Sequence, residues 1–220
     1  MVLGGYLTYG VGGAIATGIA AAPESLSRIS GSTAFTASAV LMLVNSALVI
    51  GIGALMFPIL KRHSQVVAVG YLATRVFEGI ILAVGVVSLL SLVTVSRAYT
   101  KAGGLDASYF ATLGVLASGG NFLAYSVAMA GLGVGSIFFC FLMYRSTLVP
   151  GFVAIWGVVG YAIFAAGCLL ELVGLAGAGL VASVPGGLFE VFFGIWLIVK
   201  GFNRSAVTDG AASINGDLMR

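Results

Sequence analysis

From Ala107 to Tyr144 the chain runs for 38 residues without an Asp, Glu, Lys or Arg. Apolar runs beyond about 18 residues signal membrane-spanning helices. As one helix this run would measure about 57 Å at 1.5 Å per residue, nearly twice a hydrocarbon core of about 30 Å. The Gly119-Gly120 pair divides it, leaving a first piece too short to cross. The expected arrangement is a short interfacial helix over residues 108–117, then a crossing over 121–144.

The other apolar runs fit the same class. At 60% hydrophobic and 8% charged over 220 residues, the composition is that of an integral membrane protein. The expected fold is all-α, a polytopic bundle of six transmembrane helices forming one domain over residues 1–202. The crossings are read at residues 3–21, 33–60, 66–95, 121–144, 150–174 and 185–200. Ser32 or Thr33 caps the second, Pro58 sits in its last turn, and Pro185 takes the first position of the sixth. Small residues at Ala20-Ala21-Ala22 leave a cleaved leader open for the first run, but it lacks a basic start, so a retained helix is the reading. The polar stretch 203–220 reads as a flexible tail.

Six crossings put both termini on one side. That side carries Lys61, Arg62, Arg145, Lys200, Arg204 and Arg220, against Arg28, Arg97 and Lys101 on the other. The positive-inside rule makes the richer side cytoplasmic. Seven crossings would split the basic clusters. The formal net charge is only +3 and the basic residues sit at segment ends, so the expected partner is the lipid bilayer and not a nucleic acid. Cys140 and Cys168 lack CxxC spacing and fall about 20 Å apart in depth, so they read as buried thiols.

Arg75 and Glu78 break the third apolar run one helical turn apart. A charge at mid-membrane depth costs at least about 2.5 kcal/mol on insertion scales, so such residues are paired, structural or functional. Counting rise from Arg62 puts Arg75 about 20 Å up, and counting from Lys200 puts Glu190 about 15 Å up, at similar central depth. Asn45, Asn121, Tyr125 and Glu171 fall in the outer half. The pattern predicts a cavity open to the outside, floored by Arg75, Glu78 and Glu190 and lined by those four.

Two readings of the charged triad stand side by side. In one, the chain is a structural or partner-binding membrane protein in which Arg75 bridges Glu78 within its helix and Glu190 across the bundle, clamping the third and sixth crossings. In the other, one cation faces two carboxylates, and the surplus acid carries a proton or binds a cationic or hydrogen-bonding ligand. Glu171 near the outer interface can simply be solvated. Asn45 and Asn121 suit interhelical hydrogen bonding. The Phe77-Glu78 and Phe189-Glu190 dipeptides, on oppositely running helices, would fit an inverted repeat.

His63 is the only histidine and lies in a basic turn, so paired-histidine haem ligation and histidine-based zinc sites are excluded. No HExxH, GxSxG or glycine-rich phosphate loop occurs. The expectation is a non-enzymatic protein without cofactor or metal.

Three stretches, in order, resemble a bacterial family of membrane proteins, the domain-of-unknown-function 4386 family. They are Arg75-Val76-Phe77-Glu78; Tyr144-Arg145-Ser146 with Val149-Pro150 and Trp156-Gly157; and Pro185 before Glu190, with Trp196 to Phe202 closing the last helix. The resemblance covers residues 3–202. It implies a multi-helix protein of the bacterial inner membrane with Arg75, Glu78 and Glu190 at family-like positions. Some relatives carry ionisable residues in the fourth crossing where this chain has Asn121, Tyr125 and Ser126, which puts a proton path through that helix in doubt.

Overall fold

A computed structural model describes residues 2–20, 25–103, 106–203 and 205–206, and among these no strand occurs. The helices are α1 (Val2–Ala20), α2 (Ser25–Arg28) running into a 3₁₀ turn (Ile29–Gly31), α3 (Thr33–Leu60), α4 (Gln65–Lys101), α5 (Ala107–Arg145), α6 (Gly151–Leu172) and α7 (Ala178–Val199). The five helices from α3 to α7 are each long and apolar enough to cross a membrane. In α1 the described apolar stretch is the shorter Leu7–Ala20, so five candidate spans are established rather than six. Val66, Leu180, Val181 and Ile198 are at least three-quarters exposed. Such surfaces suit lipid, as in a multi-pass membrane protein.

Several boundaries follow from local chemistry. The Phe35 N–H donates to Ser32 Oγ at 3.1 Å, capping α3 as expected. The Val67 N–H donates to Ser64 Oγ at 3.3 Å and opens α4 in the same way. Gly201, in the left-handed region at φ 68°, closes α7. Both cysteines are buried and free. The tail expected over 203–220 lies mostly outside the described residues, as do Ala21, Ala22 and Pro23. Its first residue is tied down, since Asn203 N–H donates to the Leu148 carbonyl at 2.9 Å.

Three expectations are corrected. The interfacial helix and fourth crossing are one continuous helix, α5, through Gly119-Gly120. Gly120 is a point of close approach rather than a break: a β-carbon there would collide with Ser88 of α4, whose hydroxyl donates to the Ala117 carbonyl at 3.0 Å. The third crossing does not end near Val95, because α4 continues through Arg97 to Lys101. The sixth starts at Ala178, with Pro185 inside it. Its N-terminus is set instead by Gly177 at φ 81° and by Glu171, whose carboxylate accepts the N–H groups of Gly177 and Gly179 at 2.9 and 2.8 Å. The proline removes one backbone donor from α7, while its own carbonyl accepts the Trp156 indole N–H at 3.2 Å.

The chain forms two compact units. One holds Val49–Glu78 and the chain from Ser126 onward; the other holds Gly4–Leu48 and Gly79–Tyr125. In the second unit Phe35, Ala39 and Met42 of α3 pack with Ala16 of α1 and with Val86 and Leu89 of α4. Ser96 ties the 25–31 segment to it, its hydroxyl donating to the Leu26 carbonyl at 2.5 Å and accepting the Ser30 N–H at 2.9 Å. In the first unit α6 and α7 form an antiparallel hairpin. At Gly160 a β-carbon would stand 3.2 Å from the Gly186 backbone, tighter than ordinary van der Waals contact, so glycine there eases the close approach.

Candidate functional site

Tyr71, Arg75 and Glu78 follow the i, i+4, i+7 spacing that places side chains on one face of a helix, here α4 in the first unit. The Arg75 Nε–H donates to Tyr71 Oη at 2.9 Å, and the Nη1–H donates to Glu78 Oε2 at 2.9 Å. The guanidinium also lies 5.2 Å from the Tyr71 ring centroid. Arg75 is 5% and Glu78 3% exposed, so the ion pair is shielded from solvent screening.

A second polar pair comes from the α6–α7 hairpin. Tyr161 O–H donates to Glu190 Oε1 at 2.5 Å. Glu190 lies within electrostatic range of Arg75, Glu78 and Tyr71, and also of the buried Cys140 of α5. Aromatic rings enclose the two pairs. Tyr71 stacks on Phe139 at 4.3 Å, Phe193 stacks on Phe189 at 5.5 Å, and Tyr161 meets Phe189 edge-on at 5.7 Å. Two glycines admit these groups. A β-carbon at Gly53 would stand 2.8 Å from Arg75 Cβ, and one at Gly157 would stand 2.6 Å from Cys140 Sγ and 2.7 Å from Phe189 Cζ.

The structure therefore sets Glu190 within electrostatic range of the Arg75–Glu78 pair, and adds Tyr71 and Tyr161 as bonded partners. The bonds described run from Arg75 to Tyr71 and Glu78 on its own helix, and from Tyr161 to Glu190 across the hairpin. Tyr71 is legible in the sequence, one turn before Arg75 on the same face. Tyr161 carries no such signal, because only packing of α6 on α7 sets it beside Glu190.

The remaining expected site residues make other contacts. Glu171 caps α7. Asn45, Asn121 and Tyr125 belong to the second unit. There Asn45 Oδ1 stands 2.9 Å from where a β-carbon on Gly5 would be, and Asn121 Nδ2 stands 3.1 Å from the equivalent point on Gly85. Tyr125 stacks on Tyr9 with ring centroids 5.5 Å apart. The two Phe-Glu dipeptides also differ: Phe189 is fully buried, whereas Phe77 is 42% exposed and lies against Gly131. Among the described residues no group of three or more His, Cys, Asp or Glu is placed to hold a metal ion.

The family model described as Domain of unknown function (DUF4386) matches residues 1–201. The chain belongs to this family. Its match takes in all seven helices and every residue of the charged cluster, so the cluster lies wholly within the DUF4386 domain. No curated protein and no solved structure matches the chain.

Proposed function

We propose that this DUF4386 protein is a non-enzymatic carrier or binder of a small solute or proton, acting at the cluster of Arg75, Glu78 and Glu190. The observation that carries the reading is one buried cation set among two carboxylates and two phenol hydroxyls inside an apolar helical unit. An ionisable residue inside a membrane-spanning segment is costly and is read by default as a functional-site hypothesis. Tyr71 also lines an apolar groove of about 750 Å³ between α4 and α5, with Gly70, Thr74, Phe77, Gly131 and Phe138. That lining has no charged group for a polar solute, which favours the proton.

In this reading the chain sits in the bacterial inner membrane with six crossings and both termini cytoplasmic. The protein is reconstituted in liposomes with Glu190→Gln beside the parent chain, and proton flux is followed with an internal dye. Loss of flux with folding retained is expected. Unchanged flux in Glu190→Gln discards the reading.

The enclosing aromatic rings favour a second reading, in which the cluster only holds α4, α6 and α7 together. It predicts that Glu190→Ala, which leaves the Tyr161 hydroxyl without its acceptor, lowers thermal stability in detergent with no flux to lose. Breaking a buried polar pair leaves its partner stranded, which is costly whatever the pair itself contributes.

A further inference from the structure

The apolar groove of about 750 Å³ between α4 and α5 lies wholly within the first unit. Gly131 packs against the Phe77 ring and Gly135 against Thr74, which draws the two helices together in antiparallel register. Beside that contact the wall is made of small residues. At Gly70, in that wall, a β-carbon would meet nothing within 4 Å. Val66 and Phe138 form an exposed apolar rim, and no charged residue lines the groove.

The depth of the groove matches one leaflet. From Val66 to Phe77 its α4 wall rises about 16 Å at 1.5 Å per residue, against about 15 Å for half of a hydrocarbon core. A transmembrane helix of a second copy would need the full core of about 30 Å, whereas an acyl chain needs half of it. The end of the groove at Val66 is also cationic. Lys61 and Arg62 stand, exposed, in the turn that leads into α4. Arg145, also exposed, follows Phe138 by seven residues on the same face of α5. Continuing the register of Gly131 with Phe77 and Gly135 with Thr74 brings Arg145 level with that turn. No Asp or Glu occurs from 25 to 77 or from 107 to 170, so neither arm of this end contributes an acid.

We infer that the groove holds one acyl chain of an anionic phospholipid, whose phosphate meets Lys61, Arg62 and Arg145 at the membrane surface. The apolar walls take the chain and the cations select the headgroup. Each basic residue near the surface favours an anionic lipid by about fivefold. The site is independent of the proton reading above, since it needs neither flux nor a titrating acid.

The test is native mass spectrometry of the full chain, taken into detergent from vesicles of equal phosphatidylglycerol and phosphatidylcholine with the same acyl chains. One retained lipid is expected, with phosphatidylglycerol favoured about fivefold or more. Gly70→Leu places a side chain in the open space of the groove, so it should cut that retention about tenfold at an unchanged thermal midpoint. The combined Lys61→Gln, Arg62→Gln and Arg145→Gln variant should keep a lipid but take both headgroups equally. Equal retention of the two lipids by the parent chain overturns the proposal, as does undiminished phosphatidylglycerol in Gly70→Leu. A mass of two chains that falls to one in Gly70→Leu also overturns it, making a second copy the occupant. If Gly70→Leu does not fold, the headgroup ratios of the parent and the combined variant still decide: an unchanged ratio between them refutes the cationic headgroup site.

Discussion

Gly53 of α3 lies directly against Arg75 of α4: a β-carbon at position 53 would stand 2.8 Å from Arg75 Cβ and 3.2 Å from its Cγ. The contact is with the stem of the arginine, which cannot swing aside without carrying the guanidinium off Tyr71 and Glu78. Alanine normally gains up to about 1 kcal/mol over glycine in a helix. Here overpacking of about 1–3 kcal/mol should outweigh that gain. Gly53→Ala is expected to lower the thermal midpoint in detergent, and a raised midpoint would show that Arg75 is not held as described.

Gly157 holds the other half of the cluster open. Alanine there meets Cys140 Sγ at 2.6 Å and the rim of Phe189, a ring already packed by Phe193, Tyr161 and Trp156. A loss of roughly 1–3 kcal/mol is expected from overpacking. Cys140→Ala should recover part of it in a double-mutant cycle, because the two sites share one contact. Strict additivity of the two changes would contradict the packing.

Glu171 anchors the start of α7 by accepting two backbone N–H groups that no helical carbonyl can reach. Removing such a cap costs about 0.5–2 kcal/mol. Glu171→Ala should speed amide exchange at Gly177 and Gly179, while Glu171→Gln, which keeps an acceptor, should have a smaller effect. Equal exchange in all three proteins would remove the capping role.

His63, in the turn between α3 and α4, has an Nε2 atom that is buried without a hydrogen-bond partner. Burial first, and Arg62 second, hold its pKa below the ordinary histidine value of about 6.5. The fold thus favours neutral imidazole. Its contribution is fully present above the unfolded-state pKa and is lost as pH falls through the lowered folded-state value. His63→Gln should flatten the acid side of the stability profile, read as thermal midpoint against pH. Superimposable acid limbs for the two proteins would show that this histidine is not desolvated.

Much of the helical layout is legible in the amino-acid sequence. Length of apolar run, Ser32 before α3 and Lys200-Gly201 after α7 place ends within a few residues, because those signals are local. Gly119-Gly120 and Pro185 mislead for a common reason. Both read as punctuation in an isolated chain, yet in the folded protein Ser88 packs against Gly120, and the Glu171 cap starts α7 ahead of Pro185.

That this chain is a helical membrane protein, with Arg75 and Glu78 on one face of one helix, follows from its residues in order. Apolar run length and helical periodicity are enough for both. What gathers around that pair from elsewhere in the chain follows only from the packing of helices distant in sequence. Packing sets Tyr161 on Glu190, closes the cluster with rings from α5 and α7, and makes Glu171 a cap. Those relationships depend on how α6 lies against α7, and that packing is written in glycine positions whose purpose appears only when two helices meet.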